Sequence, residues 1–326
     1  MKRLIPIAVA ICALTAIAQA EEPATLRMGV IANSARSISQ LGLTLAQRKG
    51  FLAHEGVRLE IVPLPGVHHQ VEALDRGEVH VSHTATPYLI QAVLKGSDAV
   101  AIVGGLANPV FAILAKPEIK SYSDLRGKVI ALSLPVDTIT IGTVKLLERA
   151  GLNRSDFVTR ELIGTPVRVK CLVSGECDAA PVGQPDDLIL AEKGYSNLGN
   201  SLEVFPALQF NVIAANRKWA EANQTVVMKY VRAFGAAYRY MSDPANRGEV
   251  ANVIADMTGA PRDVAEKILR FYFEPFDGSM PRSAEIDMAG MTAVIALMGT
   301  IGELQPPLPP AEQFVDLRYL KAAGLQ

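Results

Sequence analysis

One segment of this chain is repeated 98 residues later, and this repeat limits the possible folds more than any other feature. The first copy is GVHHQVEALDRGEVHVSHTATP (66–87), and the second is GTPVRVKCLVSGECDAAPVGQP (164–185). The identical pairs are Gly66 and Gly164, Val71 and Val169, Leu74 and Leu172, Gly77 and Gly175, Glu78 and Glu176, and Pro87 and Pro185. Chance similarity between two helix–strand units could give this many identities. The evidence for a true repeat therefore depends on whether the surrounding strands and helices follow the same order in both copies.

Predicted strands and helices alternate on both sides of the repeat. Apolar or alternating runs predict strands at 26–32, 57–64, 79–84 and 99–107, and again at 128–134, 157–164 and 177–183. Helical patterns lie between them, and Gly50 and Gly151 end the first helix of each cycle. Such alternation is typical of a parallel sheet covered by helices on both faces. The sequence therefore predicts an α/β protein with one βαβαβ layout built twice, once in each of two lobes.

The pattern changes after residue 206. One more strand is predicted within ALQFNVIAA (207–215), and a rigid connector, QPPLPP, stands at 305–310. Between these segments the predicted helices span 217–242, 246–257, 261–272 and 282–301. This part of the chain is predicted to be almost entirely helical.

The first 20 residues predict export. MKRLIPIAVAICALTAIAQA has two basic residues, an apolar run too short to span a membrane, and the small residues Ala18 and Ala20 before a cleavage site. Ile11 before Cys12 argues against a lipid-anchor signal. We therefore expect cleavage after Ala20 and a soluble periplasmic protein. A net charge of -1 gives no basic field for nucleic acid or anionic lipid.

Two cysteines remain in the mature sequence, Cys171 on a predicted helix and Cys177 at the start of the next predicted strand. Export permits a disulfide between them. Two buried thiols are the alternative, and the sequence does not decide between the two.

Several segments resemble the periplasmic solute-binding proteins of ABC importers, in the branch of sulfonate, taurine, nitrate and thiamine-pyrimidine-precursor binders. They include AQRKGFLAHEGVRLEIVPLPG, VEALDRGEVHVSHTATP, SYSDLRGKVIALSLPVDT and LVSGECDAAPVGQPDDL, and the most specific motifs are DLRGKVIA and GECDA. The resemblance implies a type 2 periplasmic binding protein fold whose first lobe (21–107 plus 207–326) is interrupted by a second (108–206). It also implies a monomer without cofactor that captures a small organic solute, a sulfonate or carboxylate for example, for the membrane permease and performs no chemistry.

The resemblance implies that loops after strands and helix N-termini hold the ligand. In the first lobe these are Asn33, Ser34 and Arg36 after the first strand, and Thr84 and Thr86 after the third. Exposed helix N–H groups favour an anionic or polar group, and Arg36 can pair with a carboxylate or sulfonate. Asn33, Ser34 and Thr86 are equally suited to be simple helix caps.

In the second lobe the candidate ligand contacts are Pro135, Asp137, Thr138, Thr165 and Gln184. Gln209 and Asn211, on the strand that returns to the first lobe near the hinge, are two further candidates. Asp137 would select a cation or a hydrogen-bond donor, which conflicts with Arg36, and the sequence leaves this conflict open. The relatives that bind sulfonates often carry an aromatic residue where Gly183 and Gln184 precede Pro185 here.

The histidines support an alternative. His68 and His83 follow neighbouring predicted strands and could converge at the cleft rim on a ligand, on a metal, or as a general base. An enzyme or a metal- or pyrimidine-precursor-binding protein of the same fold is therefore the second hypothesis. Two observations argue against an enzyme. The chain carries a predicted signal sequence, and it contains no G-x-S-x-G, H-E-x-x-H or P-loop motif.

Overall fold

The computed structural model of the chain describes residues 22–34, 36–205, 208–274 and 279–326. The predicted signal peptide (1–20) and its cleavage site lie outside these residues. None of the helices in the described ranges is long and apolar enough to cross a membrane.

Two five-stranded sheets organise the molecule. The strands are β1 (Ala24–Ile31), β2 (Val57–Leu64), β3 (Val81–Ala85), β4 (Ala99–Gly104), β5 (Phe111–Ala115), β6 (Val129–Leu132), β7 (Val158–Glu161), β8 (Ala179–Gly183), β9 (Ser196–Asn200) and β10 (Asn211–Asn216). The sheet of lobe 1 has the order β2-β1-β3-β10-β4, and that of lobe 2 has the order β7-β6-β8-β5-β9. Both sheets thus use one strand order, which confirms a two-lobed α/β fold.

The described helices cover the sheets or extend lobe 1. They are α1 (Leu41–Arg48), α2 (Phe51–His54), α3 (Val67–Asp75), α4 (Thr86–Leu94), α5 (Thr138–Arg149), α6 (Thr165–Val173), α7 (Asp186–Glu192), α8 (Arg217–Ala222), α9 (Gln224–Ser242), α10 (Arg247–Thr258), α11 (Arg262–Phe273), α12 (Met288–Thr300) and α13 (Arg318–Ala322).

The 98-residue repeat corresponds to matching elements in the two lobes. α3 and α6 each have nine residues and start 98 positions apart, and β3 and β8 each have five residues at the same offset. The matching order of elements therefore supports a structural repeat over chance similarity.

The chain passes between the sheets twice, from β4 to β5 and from β9 to β10. Each arriving strand, β5 or β10, inserts between two strands of its sheet and runs antiparallel to both. The other paired strands are parallel, so each sheet is mostly parallel as predicted. The exact lobe boundaries, after residues 107 and 206, remain predictions.

One large apolar core lies beneath the sheet of lobe 1 and includes the C-terminal helices, and smaller cores fill lobe 2. α9 packs its buried face, which includes Tyr230, Phe234 and Tyr238, into the lobe 1 core. The C-terminal helices therefore share one apolar core with the sheet of lobe 1.

Two predicted helices have different bounds in the structure. The helix predicted at 217–242 is two helices, α8 and α9, separated at Asn223, whose side-chain amide donates to the Trp219 carbonyl 2.8 Å away. The helix predicted from residue 282 begins only at Met288, because Glu285 accepts hydrogen bonds from the backbone N–H groups of Arg282 and Ser283 in a preceding turn.

The cysteine alternatives resolve to a disulfide. Cys171 on α6 is bonded to Cys177, just before β8, and both residues are buried. The bond ties the helix to the strand beside it.

Candidate functional site

A cleft of about 590 Å³ lies between the two sheets. Its walls are the loops that follow β1, β2 and β3 in lobe 1 and β6, β7 and β8 in lobe 2, together with both crossing segments. Ligands of open parallel sheets bind beyond the carboxyl ends of the strands, and this cleft has that position in both lobes at once. Its volume suits a small molecule.

The polar wall of lobe 1 is centred on His83 at the end of β3. Gln40 Nε2 donates to His83 Nδ1 at 3.1 Å, so the neutral ring carries its proton on Nε2. Burial lowers the pKa of His83 to about 4, which keeps the ring uncharged at neutral pH. Nε2 is buried and makes no hydrogen bond of good geometry with the described residues, and the Asn211 side chain acts on the ring as a hydrogen-bond partner that partly offsets the effect of burial on its pKa. The ring therefore offers a donor at the cleft wall next to Asn211.

Three hydroxyl groups lie beside this histidine. Thr84, Thr86 and Tyr88 are buried, and their oxygens have no partner within the described ranges. Burial and the carboxylates of Asp137 and Glu161 raise the pKa of Tyr88, so its hydroxyl remains protonated. Of the three, Tyr88 alone lines the cleft, and a buried hydroxyl without a partner makes this part of the wall receptive to a polar ligand.

The wall of lobe 2 contains a buried arginine, Arg168 on α6, which is 1% exposed. Its guanidinium donates to the carbonyls of Pro181 at 2.8 Å and Leu162 at 3.2 Å, and to Thr165 Oγ1 at 3.2 Å. Burial lowers the pKa of Arg168 to about 10, and the group keeps its charge at neutral pH. Three of the five N–H donors of a guanidinium are thus used, and Arg168 forms no ion pair with a carboxylate of the described residues.

The loop after β6 places a carboxylate in the same wall. Asp137 caps α5 by accepting from the Ile139 N–H at 3.0 Å, and it also accepts from Ser133 Oγ at 2.7 Å. The negative charge of Asp137 partly balances Arg168 across the wall. Because both carboxylate oxygens already accept hydrogen bonds, the Asp137 side chain is largely committed to the cap.

A hydrogen-bond chain connects the lobes at one end of the cleft. Tyr272 Oη on α11 of lobe 1 donates to Gln184 Oε1 at 2.9 Å, and Gln184 Nε2 donates to Asp187 Oδ2 on α7 of lobe 2 at 2.7 Å. The same two helices are joined at the surface by Lys267 Nζ and Glu192, 3.0 Å apart. We call the first three residues the interlobe chain.

Seven predicted site residues line the cleft: Ser34, Arg36, His83, Asp137, Thr165, Gln184 and Asn211. Five others lie behind or beside the lining: Thr84, Thr86, Pro135, Thr138 and Gln209. The side chain of Asn33 is outside the described set. Arg36 is anchored by a hydrogen bond to the Thr258 carbonyl, and Gln209 uses its amide on the Asn211 carbonyl and the Asp287 N–H.

The two histidines are not brought together. His68 lines a smaller side cavity between α3 and α4, whereas His83 lines the main cleft, and Tyr88 borders both. The His68 and Tyr88 rings meet edge to face with centroids 5.4 Å apart. Over the described ranges, no group of three or more His, Cys, Asp or Glu side chains could hold a metal ion.

The lining residues that sequence reasoning missed include Tyr88, Arg168, Asp186 and Tyr272. A signal was present for Arg168, because it shares the buried face of α6 with Cys171 and Leu172 at helical spacing. A charged residue on an apolar stripe is unusual and indicates a site. Tyr272 carried no such signal, since it comes from a helix in the distant C-terminal part.

Comparisons with known proteins agree with this architecture. The family model described as NMT1/THI5 like matches residues 38–246. No curated protein sequence matched the chain.

Three solved structures illustrate the structural similarity. The alkanesulfonate-binding protein SsuA from Xanthomonas axonopodis pv. citri, bound to MOPS, is 21% identical with a TM-score of 0.70, covering 90% of this chain and 99% of that one. The periplasmic nitrate-binding protein NrtA from Synechocystis PCC 6803 is 15% identical with a TM-score of 0.74, covering 93% and 89%. The desulfurization enzyme DSZB is 14% identical with a TM-score of 0.66, covering 92% and 98%. At these identities the similarity shows a common fold, which carries both binding proteins and an enzyme.

Proposed function

We propose that this chain, which belongs to the NMT1/THI5-like family, captures a small organic anion between its lobes and delivers it to an ABC permease without changing it. The observation that carries the proposal is the buried guanidinium of Arg168, which lines the cleft without a carboxylate ion pair among the described residues. A buried charge is costly unless it is paired, so an anionic ligand completes this wall. Sulfonates and carboxylates are the chemical classes that a guanidinium binds best.

The opposite wall supports the same class of ligand. His83 and Tyr88 line the cleft, and the His83 Nε2–H and the Tyr88 hydroxyl can both donate hydrogen bonds to a ligand. Asp137, which suggested a cation, already accepts from the α5 N-terminus and from Ser133. The conflict between Asp137 and the cleft arginines is therefore resolved, in this proposal, in favour of an anion.

The proposal extends to processing and partners. The chain is exported, cleaved after Ala20, and acts as a periplasmic monomer that presents closed, loaded lobes to the permease subunits. Intact mass and light scattering of exported protein test this part, and a retained Met1 or a stable dimer contradicts it.

The first experiment is a thermal-shift screen of exported protein with alkanesulfonates, aliphatic and aromatic carboxylates, nitrate and pyrimidines. A ligand at one hundred times its Kd adds about 2.7 kcal/mol of stability.

The matched variants are Arg168→Gln and Arg160→Gln, since Arg160 is a surface arginine of the same lobe, paired with Glu176. Loss of a charge-assisted hydrogen bond costs about 1.5–3 kcal/mol, so R168Q should weaken an anion roughly tenfold or more.

R160Q should bind like the wild type. Equal affinities in both variants, with R168Q folded, contradict the role of Arg168. Small-angle scattering should show compaction when ligand is added.

An enzyme of this fold is the second candidate, favoured by the neutral, hydrogen-bonded imidazole of His83 in the cleft. Incubating the bound ligand with the protein and analysing it by mass spectrometry separates the two functions. Turnover into a new product that H83Q abolishes would establish the enzyme, and unchanged ligand supports delivery.

A further inference from the structure

The cleft and a second cavity are separated by one aromatic side chain. The side cavity, of about 250 Å³, lies between α3 and α4. Two residues line both spaces, Val67 and Tyr88. Val67 is small, so the Tyr88 ring forms most of the partition.

The Tyr88 ring is held by packing rather than by its hydroxyl. The side chain is 4% exposed, and Oη has no hydrogen-bond partner in the described part of the chain. On the side-cavity face the edge-to-face contact with His68 supports the ring. On the cleft side, Tyr88 shares the lining with Asp137 of lobe 2, and the carboxylates of Asp137 and Glu161 act electrostatically on the hydroxyl.

Beyond the partition the surface can accept an alkyl chain. Val67, Val71 and Ala92 give the side cavity an apolar part, and Glu72, Asp75 and Lys95 are the charged groups in its lining. An apolar tail could lie against the first set while the charged residues remain in water.

We propose that Tyr88 sets the longest ligand that the cleft accepts, and that the side cavity is the space from which it excludes an alkyl tail. This inference rests on the proposed function, because it treats the ligand as an anion with a tail of variable length. Anionic head groups bind at the Arg168 wall, and tails that would extend past Tyr88 are rejected.

The test uses two homologous series, the straight-chain alkanesulfonates and carboxylates with one to ten carbons, against four proteins. These are the wild type, Tyr88→Ala, Tyr88→Phe and the double variant Tyr88→Ala/Ala92→Phe. Tyr88→Phe keeps the partition and removes only the hydroxyl. Ala92→Phe refills the side cavity from the same helix, one turn beyond Tyr88.

In the wild type, affinity should rise about fourfold per methylene, which is about 0.8 kcal/mol, up to a limiting length and then stop. Y88A should move this limit to longer chains, Y88F should leave it unchanged, and the double variant should restore it. Thermal unfolding without ligand shows whether each variant is folded, and Tyr88→Leu replaces Y88A if that variant unfolds.

A limiting length that is the same in wild type and in the folded Y88A or Y88L variant overturns the inference while leaving the proposed function intact. So does a shift to longer chains that A92F does not reverse. If no member of either series stabilises the wild type, the proposed function itself has failed, and the length rule fails with it.

Discussion

The contribution of the buried Asp187 carboxyl to the stability of this protein should fall as the pH rises from about 4 to about 7. Asp187 is 5% exposed and ends the interlobe chain formed by Tyr272, Gln184 and Asp187. Burial raises the pKa of Asp187 from its ordinary 3.8 to about 6, although hydrogen bonds from Gln184 and from the Leu188 N–H act in the opposite direction. The folded state therefore keeps this proton in a range where the unfolded state has lost it.

The size of the effect follows from the pKa difference. One pKa unit corresponds to about 1.4 kcal/mol, so a rise of about two units corresponds to about 3 kcal/mol in total. The contribution of Asp187 is fully present below about pH 4 and is lost as the pH rises through about 6. About 2 kcal/mol of it falls within the range from pH 4 to pH 7.

Asp187→Asn removes this titration with little structural change. An asparagine amide can donate to Gln184 Oε1 if the Gln184 amide turns over, and Gln184 Nε2 can then donate to Tyr272 Oη. The interlobe chain is preserved with its direction reversed. The variant should therefore gain about 2 kcal/mol relative to the wild type between pH 4 and pH 7.

Urea unfolding at pH 4, 5, 6 and 7 measures this difference. Glu312→Gln, which removes an exposed carboxylate outside the cleft lining, is the control for the loss of one carboxylate. A difference between D187N and wild type that does not change across this range would refute the reasoning. The informative quantity is the free energy of unfolding of the variant minus that of the wild type at each pH. The wild-type curve alone is not informative, because His83 titrates with the opposite effect on stability.

His83 should contribute a gain in stability of about 2–3 kcal/mol as the pH rises from about 4 to about 6.5, because burial lowers the pKa of His83 to about 4. His83→Gln lacks this gain, so its stability relative to the wild type should fall by that amount between urea titrations at the two ends of this range; a constant difference contradicts the prediction. Gly104→Ala should destabilise the protein by about 1–3 kcal/mol, since a Cβ there would overlap the backbone carbonyl of Glu285, and a urea midpoint equal to that of wild type would contradict this. Replacing Cys171 and Cys177 by Ala should lower the free energy of unfolding by about 2 kcal/mol, as expected for a disulfide loop with a sequence separation of 6. A reductant should lower the urea midpoint of the wild type by a similar amount and leave that of the variant unchanged.

Most of the fold was predictable because its signals are local. β2 coincides with its predicted span, since it has a clear period bounded by Gly56 and Pro65. β5 and β9 were missed. They lie outside the repeated segment, and β5 is a short, fully buried run without alternation.

The site was predictable only as a set of loops. Position after a strand identified Ser34, Asp137 and Gln184 as cleft residues, because strand ends meet at one edge of a sheet. It did not identify Gln184 as a link between lobes, since its partner Tyr272 lies 88 residues away in a helix of the other lobe. Pairings of this kind depend on how the two lobes pack, which no local pattern encodes.

The strand order also fixes the sequence in which the lobes can be completed during translation. In lobe 1, β4 hydrogen-bonds to β10 and forms one isolated bridge to Val315, and both partners are synthesised after lobe 2. Lobe 2 has all its described strands once Asn200 has emerged, whereas lobe 1 must wait for Asn216. At 5–20 residues per second, the hundred or so residues between β4 and β10 take about 5–20 s to make. For a chain exported as proposed, the half synthesised first is thus the half completed last, and it stays open for translocation during that interval.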